Sequence, residues 1–124
     1  MYRHVLIVED DDSLRQIVAA NLRRRGHRVG EAATATQALA ALVDERPDLV
    51  LLDINLPDLS GWEVAREMRQ RALDVPTIVV SAAGAAPNRL AELRPLAFLA
   101  KPFALDELLR LAAGAATTPA PATV

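Results

Sequence analysis

Hydrophobic and polar positions alternate along this chain in regular blocks. Short apolar runs, VLIV at 5–8, LVLLDI ending at Ile54 and VPTIVVS at 75–81, are separated by longer stretches whose apolar residues recur every three or four positions. The first kind suits a strand buried on both faces, the second a helix lying against a sheet. Residues 13–25 carry Leu14, Ile17, Val18 and Leu22 in helical register and meet Gly26 as a stop, with Asp12 or Ser13 placed to cap the first turn. RVGEA at 28–32 reads as a weaker strand. Residues 36–46 form a second helix with Ala38, Leu39, Leu42 and Val43 on one face, ended by Pro47.

The segment 48–54 is the clearest buried strand, and the loop NLPDLSG leads from it into a helix over 62–71 with Val64, Ala65 and Met68 inward. After the strand at 75–81, Leu90 and Leu93 predict a fourth helix, kept short by Pro87 and Pro95. A brief strand at Ala97–Ala100 and a helix over 105–113 follow. TTPAPATV has the composition of a linker, so the chain divides into a domain at 1–115 and a flexible tail or truncated linker at 116–124. Five strands alternating with five helices predict a doubly wound α/β domain, a parallel sheet with helices on both faces.

Composition narrows the function. A length of 124 residues is that of one domain, and 52% apolar with only 3% aromatic residues means a core of Leu, Val, Ile and Ala. A net charge of −2 makes no case for nucleic-acid or anionic-membrane binding. The absence of cysteine excludes disulfides and thiolate chemistry. No apolar run approaches the roughly 20 residues of a membrane span, so a cytoplasmic location is expected.

Right-handed crossovers put the C-terminal end of every strand at one edge, where such sheets bind ligands. Glu9 and Asp10 end the first strand, Asp53 the third, Ser81 the fourth and Lys101 the fifth. Converging carboxylates make a hard oxygen site suited to Mg²⁺, and a cation there would offset the mutual repulsion of Glu9, Asp10, Asp11 and Asp12. A central aspartate can act as a nucleophile toward phosphorus, with Lys101 supplying positive charge and the Ser81 hydroxyl bonding a phosphoryl oxygen. Asp11 and Asp12 are adequately explained as helix-capping residues; a buried, unpaired Asp53 would be costly as mere structure. Trp62 is expected to pack the third helix, His4 and His27 to lie at the surface or at strand ends, and Arg23, Arg24 and Arg25 to form a solvated helix end.

VLIVEDD, DINLPDLSG, Ser81 in VVSA and Lys101–Pro102–Phe103, in this order and at strand ends, resemble the receiver domain of two-component response regulators from Arg3 to about Ala113. The resemblance implies a flavodoxin-like sheet of order 2-1-3-4-5. It implies phosphoryl transfer to Asp53 from a sensor histidine kinase or a histidine phosphotransferase. It also implies Mg²⁺ (or Mn²⁺) held by Asp10, Asp53 and the backbone carbonyl of Asn55, with Glu9 acting mainly through water. A cis Lys101–Pro102 bond would put the amine into the site. Ser81 and the aromatic Phe98, where Tyr is frequent, would be the switch pair. The chain would then be a signalling domain that catalyses only its own phosphorylation and dephosphorylation, acting on an output partner or effector domain. AELRPLAF departs from the family's Gly-Ala-acidic approach to the fifth strand. Asn55 and Ala83 flank the path of water to the phosphoryl group, and fast hydrolysis, slowed by Ala83→Tyr, is expected. One alternative is a receiver-like interaction module that docks without phosphorylation. Another is an aspartate-nucleophile hydrolase of the haloacid-dehalogenase type, disfavoured by Asn55 in place of a second acid.

Overall fold

A computed structural model of the chain describes residues 2–71, 73, 75–82 and 87–114. Ten elements alternate strictly: β1 (His4–Val8), α1 (Asp12–Arg24), β2 (Arg28–Ala32), α2 (Ala35–Asp44), β3 (Leu49–Asp53), α3 (Gly61–Gln70), β4 (Thr77–Ser81), α4 (Pro87–Leu93), β5 (Ala97–Ala100) and α5 (Leu105–Ala112). The strands form one parallel sheet in the order β2-β1-β3-β4-β5. The chain therefore winds outward from β1 to β2, then returns across β1 to place β3 on its other side. That reversal leaves a crevice at the carboxyl ends of β1 and β3.

Every residue of β3 is buried, because it lies centrally with helices on both faces. Strand side chains alternate between the faces, and two cores result. Val5, Ile7, Leu49, Leu51, Ile78, Val80 and Leu99 pack with α1 and α5, while Leu6, Val8, Val50 and Leu52 pack with α2 and α3.

The helices bury narrower stripes than their apolar residues suggest. In α1 the stripe is Val18, Ala19 and Leu22; Ile17, expected inward, is 54% exposed. Val18 and Leu22 stand four residues apart on the sheet-facing side, and Ile17 lies 100° around from Val18. Val43 in α2 is likewise turned out, 66% exposed, beside the buried line of Ala35, Ala38 and Leu42. Of the capping candidates Asp11, Asp12 and Ser13, the cap of α1 is Asp11: its carboxylate accepts from the Leu14 N–H at 3.1 Å. The helix accordingly starts at Asp12, one residue before the expected 13.

His27 is buried at its strand end and does not face solvent. Gly26, at φ 95°, reverses the chain after α1, and the His27 N–H reaches back to the Leu22 carbonyl. The imidazole is thereby tucked inward, its Nδ1 2.5 Å from the Tyr2 carbonyl. As expected, α4 is short, seven residues, and Arg94 at φ 50° closes it. Among the described residues no helix is long and apolar enough to cross a membrane.

Parallel strands also sort the charges. Arg3, Arg23, Arg24, Arg25, Arg28 and Arg46 gather where the strands begin, among Asp44, Glu45 and Asp48, and Glu9, Asp10, Asp11, Asp12, Asp53 and Asp58 where they end, beside Arg15 and Lys101. Residues 115–124, the expected tail, lie outside the described residues.

Candidate functional site

The two-residue period of the strands builds the site. The row Val5–Ile7 continues to Glu9, the row Leu49–Leu51 to Asp53, and Leu99 is followed two residues on by Lys101. All three rows belong to the face covered by α1 and α5, so three ionisable groups cap that core where it meets the crevice. Asp53 is 3% exposed and Glu9 6%.

Lys101 is shared between them. Its Nζ lies 2.7 Å from Glu9 Oε1 and donates to Asp53 Oδ2 at 3.1 Å. The Lys101–Pro102 bond is cis. One oxygen from each of Glu9, Asp10 and Asp53 lies within 4.8 Å of the others. Three carboxylates against one ammonium leave an excess of negative charge. Burial pushes the Glu9 carboxyl up to about 7 and Asp53 adds repulsion, against the opposing bonds from Lys101 and the Asp11 N–H. Burial works against the Lys101 charge, but its bonds to Glu9 and Asp53 outweigh that and hold its pKa above the ordinary lysine value. A hard divalent cation fits this donor set: all ligating atoms are oxygen, close together, and short of positive charge.

The loops on either side hold the acids in place. Asp53 Oδ1 accepts from the Asn55 N–H at 2.9 Å, and Glu9 Oε2 from the Asp11 N–H at 3.1 Å. The Gly61 N–H donates to the Ile54 carbonyl at 2.8 Å, which seats the start of α3 directly against the end of β3. From the same loop, Asp58 reaches the start of α2, accepting from Ala35 N–H at 2.8 Å, Thr36 N–H at 3.0 Å and Thr36 Oγ1 at 2.7 Å.

Thus Glu9, Asp10, Asp53 and Lys101 come together. Ser81 is buried at the end of β4, next to Val80, which stands opposite Asp53 in register. The Lys101 N–H donates to the Ser81 carbonyl at 2.9 Å. Asn55 is exposed in the loop after Asp53. Phe98 is half-buried on β5, opposite Val79. Ala83 lies outside the described residues. Sequence reasoning passed over Gly61 and Asp58. Both stand in NLPDLSG, but their partners are brought to them only by the tertiary fold.

A crevice at the β1/β3 reversal, lined by acids and one lysine, defines a class, and comparison with known proteins gives the same one. Residues 5–113 match the family described as response regulator receiver domain, and the chain belongs to it. Among curated relatives, the response regulator MprA of Mycobacterium sp. (strain KMS) is 38% identical over 107 residues, covering 85% of this chain and 46% of that protein. The chain thus spans about half the length of the curated relatives it matches. The non-phosphorylated HemR receiver domain from Leptospira biflexa is 33% identical with a TM-score of 0.81, covering 95% of this chain and 98% of that one. TrrA from Thermotoga maritima, solved in complex with Mg²⁺ and BeF, is 30% identical with a TM-score of 0.76, covering 86% and 92%.

Proposed function

We propose that this receiver domain accepts a phosphoryl group on Asp53 and that Lys101, Ser81, Glu9, Asp10 and Asn55 assist the transfer. The observation that carries this reading is Asp53 itself, a carboxylate almost wholly buried yet held 3.1 Å from a lysine ammonium at the open end of the central strand. Its Oδ1 is fixed by the Asn55 N–H. A carboxylate so oriented is prepared for in-line attack.

In the step proposed, an Asp53 oxygen forms a bond to phosphorus as the P–N bond of a phosphohistidine breaks. The departing imidazole takes up a proton. Water later attacks the same phosphorus and releases phosphate, restoring the carboxylate. Lys101 moves with the charge: paired with Asp53 before transfer, its ammonium is placed to follow the phosphoryl oxygens afterwards. Ser81 offers its hydroxyl to a phosphoryl oxygen, and Phe98 is the aromatic that reports the change. Glu9, Asp10, Asp53 and the Asn55 carbonyl would hold Mg²⁺ or Mn²⁺, which when bound supplies further positive charge to the phosphoryl oxygens.

The phosphodonor is a sensor histidine kinase or histidine phosphotransferase in the cytoplasm, and the recipient of the signal an output partner or effector domain. The domain catalyses only its own phosphorylation and dephosphorylation. No nucleic acid or membrane is contacted directly. Intact-protein mass spectrometry after incubation with acetyl phosphate tests the core of this reading. A gain of one phosphoryl group that requires Mg²⁺ and vanishes in Asp53→Asn is expected. No adduct, and no binding of beryllofluoride, would overturn it in favour of a module that docks without phosphorylation.

A further inference from the structure

The turn that carries Glu9 and Asp10 is held from outside the site. Arg15, on α1, has a side chain only 13% exposed, and its guanidinium is engaged on three sides. Nη1 donates to the backbone carbonyl of Glu9 at 2.9 Å, Nη2 to Asp12 Oδ1 at 2.7 Å and Nε to Glu31 Oε1 at 3.2 Å. Glu31 belongs to the edge strand β2, and its other oxygen meets Arg23 Nη2 at 3.1 Å. The Glu9 N–H already donates to Ala32 on that strand at 2.9 Å. Glu9 is thus tied to β2 through both its backbone groups, by the ladder on one side and by Arg15 and Glu31 on the other.

This turn has reason to move. Glu9, Asp10, Asp11 and Asp12 repel one another, and beyond Glu9 the pairing with β2 ends. A lysine gathers its donors on one compact, rotatable ammonium; the planar fork of Arg15 spreads three bonds over three nitrogens at fixed angles. We infer that Arg15 is a positioning residue for the acidic pocket, fixing the direction in which Glu9 and Asp10 face Asp53. This rests on the reading of those acids as a cation site. Groups that orient ligands from outside change metal affinity by about 10–100-fold when lost.

Charge alone predicts the opposite sign. Removing a cation from beside an acidic pocket should tighten Mg²⁺, whereas loosening the turn should weaken it. Mg²⁺ titration calorimetry of the full chain, with wild type, Arg15→Met, Arg15→Lys and Glu31→Gln, separates the two. Hydrogen exchange of the Asp11 amide in EDTA gives a readout without metal. Arg15→Met and Arg15→Lys are both expected to lose affinity, by about tenfold, and to exchange faster at Asp11. Glu31→Gln should fall between them and wild type. Should Arg15→Met not fold, Arg15→Lys alone decides. Wild-type affinity in Arg15→Lys, or tighter binding in Arg15→Met, would overturn the inference. If wild type itself takes up no Mg²⁺, the cation reading fails, and unchanged Asp11 exchange in Arg15→Lys would remove the clamp as well.

Discussion

A methyl group at position 61 would stand 2.4 Å from the carbonyl oxygen of Asp53 and 2.7 Å from the Cα of Ile54. Neither atom belongs to a flexible side chain, so the backbone carrying Asp53 has to give way. Gly61→Ala is therefore expected to destabilise the domain by about 1–3 kcal/mol, the usual range for overpacking, and to slow the acquisition of phosphate from acetyl phosphate. Urea unfolding and mass spectrometry check the two halves. A stable variant with normal phosphorylation would mean that the contact is relieved elsewhere. The candidate site was legible in the sequence because right-handed crossovers put the C-terminal ends of parallel strands at one edge. Once 5–8 and 48–54 were read as buried strands, Glu9 and Asp53 fell at the same edge. Gly61 was not legible, since its need for a missing side chain comes from α3 meeting β3.

Among the elements, α2 shows what local pattern omits. Its own cap, Thr34, accepts from the Gln37 N–H at 3.1 Å, a feature of sequence neighbours. Its second anchor, Asp58, arrives from the loop after β3. Bonds from the Thr36 hydroxyl and from the Ala35 and Thr36 N–H groups hold the Asp58 carboxyl well below the usual carboxylate range. A pKa depressed by folding contributes stability above the unfolded value, near ~3.9 for aspartate, and that contribution is lost as pH falls through the folded value. The stability gap between wild type and Asp58→Ala in urea should be constant from neutrality down to about pH 5 and shrink below about pH 4. A gap independent of pH would mean that the bonds do not depend on charge. The element boundaries themselves were read closely from hydrophobic period, Gly and Pro. The errors at Ile17 and Val43 arose because an apolar run shows which residues can be buried, and only packing decides how wide the buried stripe is.

At the scale of the molecule, the alternation of strands and helices was enough to indicate a doubly wound sheet, and the order 2-1-3-4-5 came from family resemblance; both agree with the structure. The acidic crevice implies that the domain is most stable with its charge excess neutralised. A ligand that binds only the folded state adds about 2.7 kcal/mol at a hundredfold excess over its Kd, so Mg²⁺ should raise the melting temperature and EDTA reverse the gain. Asp10→Asn should melt no lower than wild type in EDTA, having lost a repelling charge, yet gain little from Mg²⁺. An equal gain in both would remove Asp10 from the site.

The excess of arginines at one end of the sheet and of acids at the other has a consequence for encounters in solution. A net charge of −2 describes a nearly neutral body, but an uneven distribution of charge gives such a body a dipole. Such a body rotates before it touches, so a partner with a cationic rim meets the Asp53 end more often than chance allows. The reach of that torque is the Debye length, about 8 Å at physiological ionic strength. Productive collisions should therefore be frequent in dilute buffer and become a matter of random orientation as salt is added.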